Sequence, residues 1–185
     1  AKATVTEKSG NVARKLAFDG KSRRTSGSLG KSLMTFSAPA DLAGAKFLQV
    51  QNSASDDERY LYTADLKRTR RIAGSNREDS FMGTDFSYAD LDGRDVRNSN
   101  ATLLADEKVG KFDCYHVIAT PKDSDAVYKK VEMWVRKDNF VPLKQIMFDK
   151  SGAEAKTLFS KEIQKHDGQW FITSSKMTVK ATGRQ

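Results

Sequence analysis

Cys114 and His116 are the two residues whose types and spacing best fit nucleophilic chemistry. They are two positions apart, so a strand would place both side chains on one face. A histidine beside a thiol can activate it as a nucleophile. However, Phe112 and Ile118 share that face, and a free cysteine commonly behaves as a small buried apolar residue. We therefore predict that Cys114 belongs to the core and that the chain has no catalytic residues.

Two further patterns resemble ligand sites but lack the required spacing. Gly30-Lys31-Ser32 ends like a phosphate-binding loop, but Thr25 stands where the first glycine is needed. The aspartates between Asp90 and Asp95 surround Gly93 as in a calcium loop, but the glycine is at the fourth position and no glutamate closes the loop. Two histidines and one cysteine, far apart, do not form a zinc pattern. We predict no metal and no cofactor.

The strongest charge feature is a basic run. It consists of Lys67, Arg68, Arg70 and Arg71, with Arg77 beyond. A solvated strand face and a docking patch for an anionic headgroup or partner are both open interpretations. A nucleic-acid reader would need aromatic residues between the basic ones, and none lies there, so no nucleic-acid partner is predicted. The net charge of +8 indicates only an attraction to anionic surfaces.

The elements that must position these residues are short strands. Glycine-containing turns, such as Asp19-Gly20 and Asp167-Gly168, separate runs in which apolar and polar residues alternate. The pattern predicts strands at 3–7, 12–18, 31–36, 45–51, 59–62, 69–73, 101–109, 112–120, 127–136, 141–149, 156–165 and 169–180. So many short strands favour a mainly β fold built on a large, curved antiparallel sheet.

Several C-terminal strands have apolar residues on both faces. In the run 141–149, alternation puts Leu143 and Met147 on one side and Ile146 and Phe148 on the other. In the run 127–136, Trp134 points to the side opposite Val131, Met133 and Val135. A strand that is apolar on both sides needs cover on both sides. A curved sheet around an apolar cavity would supply it.

One segment, 80–91, interrupts the alternation. Ser87 followed by Asp90 resembles a capping box, which predicts a helical turn. Leaving its large side chains in water would be costly, so they must pack on the sheet, on a ligand or on a partner. An anchored loop and a functional lid are both open. Its large apolar side chains are Phe81, Met82, Phe86, Tyr88 and Leu91.

No stretch approaches the ~20 apolar residues of a membrane-spanning helix. The start of the sequence also lacks the basic and apolar regions of a secretory signal. The protein is therefore either cytoplasmic or secreted with its signal removed, and composition favours neither.

The order of several segments resembles a known family. The segments are Phe36 to Leu48, Tyr60-Leu-Tyr, Thr69 to Gly74, Ser80 to Leu91, Trp134 to Lys144 and Phe148 to Gly152. Together they are similar to outer-membrane lipoprotein-sorting proteins of the LolA/LolB-like superfamily, in the branch associated with RND-type exporters. The resemblance extends from about residue 31 to 183, and the segment 80–91 is its most diagnostic part.

This resemblance implies a half-open β-barrel around a hydrophobic cavity, with short helical lid elements. Residues 1–185 are expected to form a single LolA-like domain that lacks the C-terminal strands of the full-length family. It also implies a periplasmic, non-enzymatic carrier of lipid or lipoprotein acyl chains. Such a carrier would work with an envelope exporter, in particular an RND-type inner-membrane transporter, and could contact a membrane peripherally. The alternative is an envelope sensor or protein-interaction module of the same fold.

The cargo candidates follow from the two-sided strands and from the segment 80–91. Methionine suits such a cavity because its flexible thioether adapts to variable chains. The predicted ligand-binding residues are Phe81, Met82, Phe86, Met133, Trp134, Met147, Phe148, Phe159 and Met177. The predicted partner or headgroup patch is the basic run from Lys67 to Arg77.

Overall fold

The structure, a computed structural model, describes residues 2–9, 12–24, 30–52, 57–91 and 98–180. It divides into two compact units, an N-terminal unit (1–93) and a C-terminal unit (94–185). Each unit is built on one antiparallel sheet. In the described part of the chain, helical structure is limited to short 3-10 turns, and no helix there is long and apolar enough to cross a membrane.

The sheet of the N-terminal unit has its strands in chain order. The strands are β1 (Lys2–Ser9), β2 (Val12–Arg24), β3 (Gly30–Ala38), β4 (Lys46–Val50), β5 (Glu58–Thr63) and β6 (Arg68–Arg71). Three 3-10 turns accompany them, at Ala40–Leu42, Gly74–Asn76 and Tyr88–Leu91. Leu16, Phe36 and Phe47 form the centre of its buried core.

The sheet of the C-terminal unit is built from seven described strands: β7 (Ser99–Leu103), β8 (Glu107–Val109), β9 (Phe112–Pro121), β10 (Lys130–Arg136), β11 (Pro142–Phe148), β12 (Glu154–His166) and β13 (Gln169–Val179). Their order in the sheet is β13-β12-β11-β10-β9-β7, with β8 also paired to β9. Asp167 and Gly168 both have positive φ, as a two-residue hairpin turn requires, so this predicted turn is confirmed.

Three local predictions were wrong. The turn expected at Asp19-Gly20 does not form, because β2 runs through both residues and pairs there with β3. The single strand expected at 101–109 is two strands, β7 and β8, which pair with different parts of β9. Leu143 does not share a side with Met147: a β-bulge beside it moves its side chain into a cluster with Trp134 and Cys114.

Candidate functional site

The two faces of the C-terminal sheet differ in chemistry. The pairing register places Met133, Leu158 and Met177 in one cross-strand row, together with Val117 and Gln145. Val131 and Met147 lie in the adjacent row of the same face because side chains alternate along a strand. We call this surface the methionine face. Met147, Val131 and Met177 are buried, and Met133 and Leu158 are half-buried.

The opposite face has a row that runs His116, Trp134, Lys144, Phe159, Lys176. From Trp134 onward, aromatic and cationic side chains alternate across this row. The Lys144 ammonium lies 4.2 Å from the Trp134 ring centroid and 5.9 Å from that of Phe159, within range of a cation–π interaction. We call this surface the aromatic face. Phe148 also belongs to the aromatic face, because it is four positions beyond Lys144 on the same strand. Its cross-strand neighbour is Lys130, whose ammonium is 4.1 Å from the Phe148 ring.

The structure therefore divides the predicted cargo residues of this unit into two sets. Met133, Met147 and Met177 share the methionine face, whereas Trp134, Phe148 and Phe159 lie on the aromatic face. Alternation predicts this division, but it does not say which face would meet cargo.

His116 and Trp134 begin the aromatic face with a polar cluster. Their rings stack with centroids 4.4 Å apart, and the Trp134 indole donates a hydrogen bond of 2.8 Å to Glu107. His116 Nδ1 is 3.2 Å from the same carboxylate, and Nε2 is 3.8 Å from Glu132. The indole hydrogen bond is the main reason that the pKa of Glu107 is lowered from its ordinary value.

This cluster is not arranged to bind a metal. The two ring nitrogens of His116 face different carboxylates, on opposite sides of the ring, so no single ion could be bound by all three groups. Across the described ranges, no group of three or more His, Cys, Asp or Glu side chains is arranged as a metal site.

Cys114 is fully buried beside Trp134 and Leu143. Its thiol donates a weak hydrogen bond to the Phe112 carbonyl, at 3.6 Å. Burial raises the pKa of the Cys114 thiol, which keeps it protonated and a poor nucleophile. The core interpretation of this cysteine is confirmed.

The segment 80–91 packs onto the sheet of its own unit. The Phe81 ring contacts those of Phe36, Phe47 and Tyr88 at centroid distances of 5.9, 5.1 and 5.5 Å. Only 5% of Phe81 and 4% of Tyr88 is exposed. The half-buried residues Met82, Phe86 and Leu91 pack against this cluster. In this structure the segment is an anchored part of the core.

Local backbone chemistry fixes this conformation. Met82 and Gly83 both have positive φ, and the Phe81 amide donates to the Phe86 carbonyl at 2.6 Å, so the chain reverses between them. The Ser87 amide then donates to an Asp90 carboxylate oxygen at 2.8 Å, where a 3-10 turn begins. The helical turn predicted from the capping pattern is thus confirmed, through the Asp90 half of the box.

A small cavity lies beneath this segment. Its volume is about 40 Å³. An acyl chain would not fit. The cavity is lined by Leu16, Phe18, Met34, Phe81, Thr84, Phe86 and Leu91.

The predicted basic patch lies at the end of the N-terminal sheet. All four residues of β6 are exposed, and Lys67 precedes them in a turn with positive φ. Arg71 forms an ion pair of 3.7 Å with Glu58, while Arg70 hydrogen-bonds the Tyr88 hydroxyl. Arg77 follows the next 3-10 turn, and its carbonyl accepts the Ala89 amide.

Sequence reasoning missed one exposed apolar feature. Trp170, Phe171 and Ile172 of β13 are 42%, 47% and 41% exposed. Alternation should put consecutive strand residues on opposite faces, one of them polar. Three large apolar residues in succession were the signal that could have identified this surface.

Comparison with known proteins supports the fold. A family model described as "Uncharacterized protein" matches residues 29–185. A DUF1329 family protein from Desulfovibrio piger is 30% identical over 99% of this chain and 79% of its own, with a TM-score of 0.95. No curated protein that was compared matches the chain.

Two further solved structures are similar. One, from Vibrio parahaemolyticus, is described as an outer membrane lipoprotein-sorting protein domain; it is 29% identical over 100% of this chain and 80% of its own, with a TM-score of 0.91. The other is a LolA superfamily protein from Nitrosomonas europaea, 18% identical over 99% of this chain and 78% of its own, with a TM-score of 0.76. The predicted fold class, mainly β and LolA-like with short helical elements, is confirmed.

Proposed function

Because this chain belongs to the DUF1329 family and has the LolA fold, we propose that it is a periplasmic, non-enzymatic carrier of lipid or lipoprotein acyl chains. The observation that best supports this is the methionine face, where Met133, Met147 and Met177 lie in two adjacent rows with Val117, Val131 and Leu158. Flexible thioethers adapt to chains of variable shape. The description of the Vibrio relative as a lipoprotein-sorting domain points the same way.

Within this proposal, cargo meets the methionine face and not the aromatic face. The aromatic face has three lysines beside its rings, Lys130, Lys144 and Lys176, whereas on the methionine face Lys156 is opposite Met147. Placing an acyl chain on the aromatic face would therefore desolvate more charge. We also assign the segment 80–91 an anchoring role, because the Phe81 ring is held among the rings of Phe36, Phe47 and Tyr88. That residues 1–185 form a single domain, and that the carrier works with an RND-type exporter, stay predictions from the sequence.

Adjacent residues of β12 provide a matched test. Leu158 belongs to the methionine face and Phe159 to the aromatic face, and both are half-buried. We expect Leu158→Gln to weaken binding of the fluorescent fatty acid cis-parinaric acid by about tenfold, because an acyl chain that contacts this position would have to desolvate the new amide. Phe159→Gln should stay within about twofold of the wild type.

Circular dichroism would verify that both variants fold. If Leu158→Gln does not, Met133→Trp tests the same face by filling space instead of adding polarity. Uptake that is lost in Phe159→Gln but retained in Leu158→Gln would overturn the assignment of the face. A wild-type protein that takes up no probe would overturn the carrier proposal.

A second candidate function is a protein-interaction module. The observation that favours it is β6, an exposed, basic strand at the edge of the described N-terminal sheet. An edge strand can pair with a strand of a partner. Under this proposal, charge reversal of Arg68 and Arg71 abolishes capture of the periplasmic part of an RND-type exporter and leaves probe uptake unchanged. Lys31→Glu, at an exposed site on β3, is the matched control; capture that survives the reversal excludes this role for β6.

A further inference from the structure

The strands β12 and β13 extend beyond the rest of the C-terminal sheet. β11 pairs with β12 only as far as Phe159, whereas β12 and β13 pair with each other up to the turn at Asp167-Gly168. Among the described strands, this outer part of β12 has β13 as its only partner. We call residues 161–174 the projecting hairpin.

The projecting hairpin exposes more large apolar surface than its neighbours. Ile163 is opposite Ile172, and Lys165 is opposite Trp170 two positions further on, so these four side chains share a face. Phe171, 47% exposed, lies on the other face. Ile163 packs against the cluster that contains Trp134, so the first face is continuous with the aromatic face.

Lysines accompany these apolar residues. The Lys165 ammonium is 5.7 Å from the Trp170 ring centroid, and that of Lys161 is 6.0 Å from the Phe159 ring. Lys144 and Lys176 are the two cross-strand neighbours of Phe159. Within the hairpin the carboxylates are Glu162 and Asp167, and Asp167 lies 3.3 Å from His166. The two lysines and two carboxylates of the hairpin therefore balance, with Lys165 placed beside the exposed Trp170 ring. Further cationic groups, Lys144 and Lys176, come from the adjoining aromatic face.

This combination is typical of a surface that lies in the headgroup region of a bilayer. Tryptophan and lysine both place an apolar body in the lipid and a polar end in water. Apolar side chains supply the insertion, and lysines add attraction to anionic lipids. We propose that the projecting hairpin docks this protein onto an anionic phospholipid surface, with Trp170, Phe171 and Ile172 entering the interface.

The proposal names a surface different from the basic strand β6 on which the sequence predicted headgroup contact. It goes beyond the carrier function, since vesicle binding and uptake of a soluble fatty acid are measured separately. If vesicle binding is not observed, the carrier proposal is unaffected, and if fatty-acid uptake is not observed, the docking proposal is unaffected.

Co-sedimentation with vesicles tests the proposal. We expect the wild-type protein to bind vesicles of phosphatidylcholine and phosphatidylglycerol more tightly than vesicles of phosphatidylcholine alone. The double variant Phe171→Ser/Ile172→Ser should bind at least about tenfold more weakly, and Lys165→Glu should cost about fivefold, on anionic vesicles only. The matched control is Leu66→Ser, an apolar residue that is 68% exposed on the N-terminal unit, and it should bind like the wild type.

Quenching by brominated lipid locates the contact. Trp170 is exposed and Trp134 is buried, so quenching should be seen in the wild type and lost in Trp170→Phe. Three results would overturn the proposal: no binding to anionic vesicles, equal binding by the double variant, or quenching that persists in Trp170→Phe. Lipid-independent self-association through the hairpin, abolished by the double variant, would also overturn it in favour of a contact between copies.

Discussion

The segment 80–91 and the projecting hairpin both concentrate large apolar side chains, but they use them in opposite ways. In the segment, Phe81 and Tyr88 are almost completely buried against the sheet of their own unit. In the hairpin, Trp170, Phe171 and Ile172 each leave two fifths or more of their surface exposed. The first segment closes a core, whereas the second presents a surface.

The difference shows that apolar density alone does not identify a binding surface. The segment 80–91 looked functional because its pattern breaks the alternation of the strands around it. Its backbone reversal and capping bond instead turn its rings inward. The hairpin keeps a strand pattern, yet it extends past β11 and has no sheet neighbour there within the described strands. Pairing, rather than composition, decides which apolar residues remain accessible.

Truncating one ring in each of the two regions should give the largest difference in stability. We expect Phe81→Ala to lower the free energy of unfolding by about 3–5 kcal/mol, because it leaves a cavity among three aromatic rings. Phe171→Ala should change it by less than about 0.5 kcal/mol. Urea denaturation measures both. Similar losses of unfolding free energy in the two variants would contradict the distinction between a buried segment and an exposed hairpin.

A smaller effect is expected from the capping bond of the segment. Asp90→Ala removes the acceptor of the Ser87 amide and should cost about 1 kcal/mol. Asp90→Asn keeps a side-chain oxygen and is the matched control. Unfolding curves identical for Asp90→Ala and the wild type would show that the capping bond does not hold the segment in place.

The smallest effect concerns the buried end of the aromatic face. The pKa of Glu107 is lowered by its hydrogen bond from Trp134, so the ionised carboxylate stabilises the folded state at neutral pH. This contribution is lost as the pH falls below the ordinary value of 4.5 and through the lowered folded-state pKa. Glu107→Gln should therefore be less stable than the wild type at neutral pH, and the difference should shrink under acid conditions. Denaturation followed by Trp134 fluorescence across pH checks the sign; a difference that grows on acidification would contradict it.

Much of the fold could be predicted because strand alternation is a local property of the sequence. The strand expected at 112–120 is found as β9, and the tight turn at Asp167-Gly168 forms as expected. Bulges could not be predicted, since they depend on the partner strand. The bulge beside Leu143 reverses the face that strict alternation assigns to that residue. The turn expected at Asp19-Gly20 failed for the same reason, because pairing with β3 holds these residues in an extended strand.

For the candidate site, the sequence predicted which residues take part but not which of the two faces would contact cargo. Alternation placed Met133 and Trp134 on opposite faces, and the pairing register confirms this. Which face contains more lysines depends on cross-strand neighbours such as Lys144 and Lys176, which are distant in sequence from the residues they accompany. The register therefore supplied the distinction between the methionine face and the aromatic face.

Photo-crosslinking with a diazirine fatty acid, followed by mass spectrometry, would identify the residues that contact the acyl chain. We expect adducts on the methionine face, at Met133, Met147 or Met177, that excess unlabelled fatty acid removes. Competed adducts confined to the segment 80–91, or to Trp134 and Phe159, would contradict this expectation.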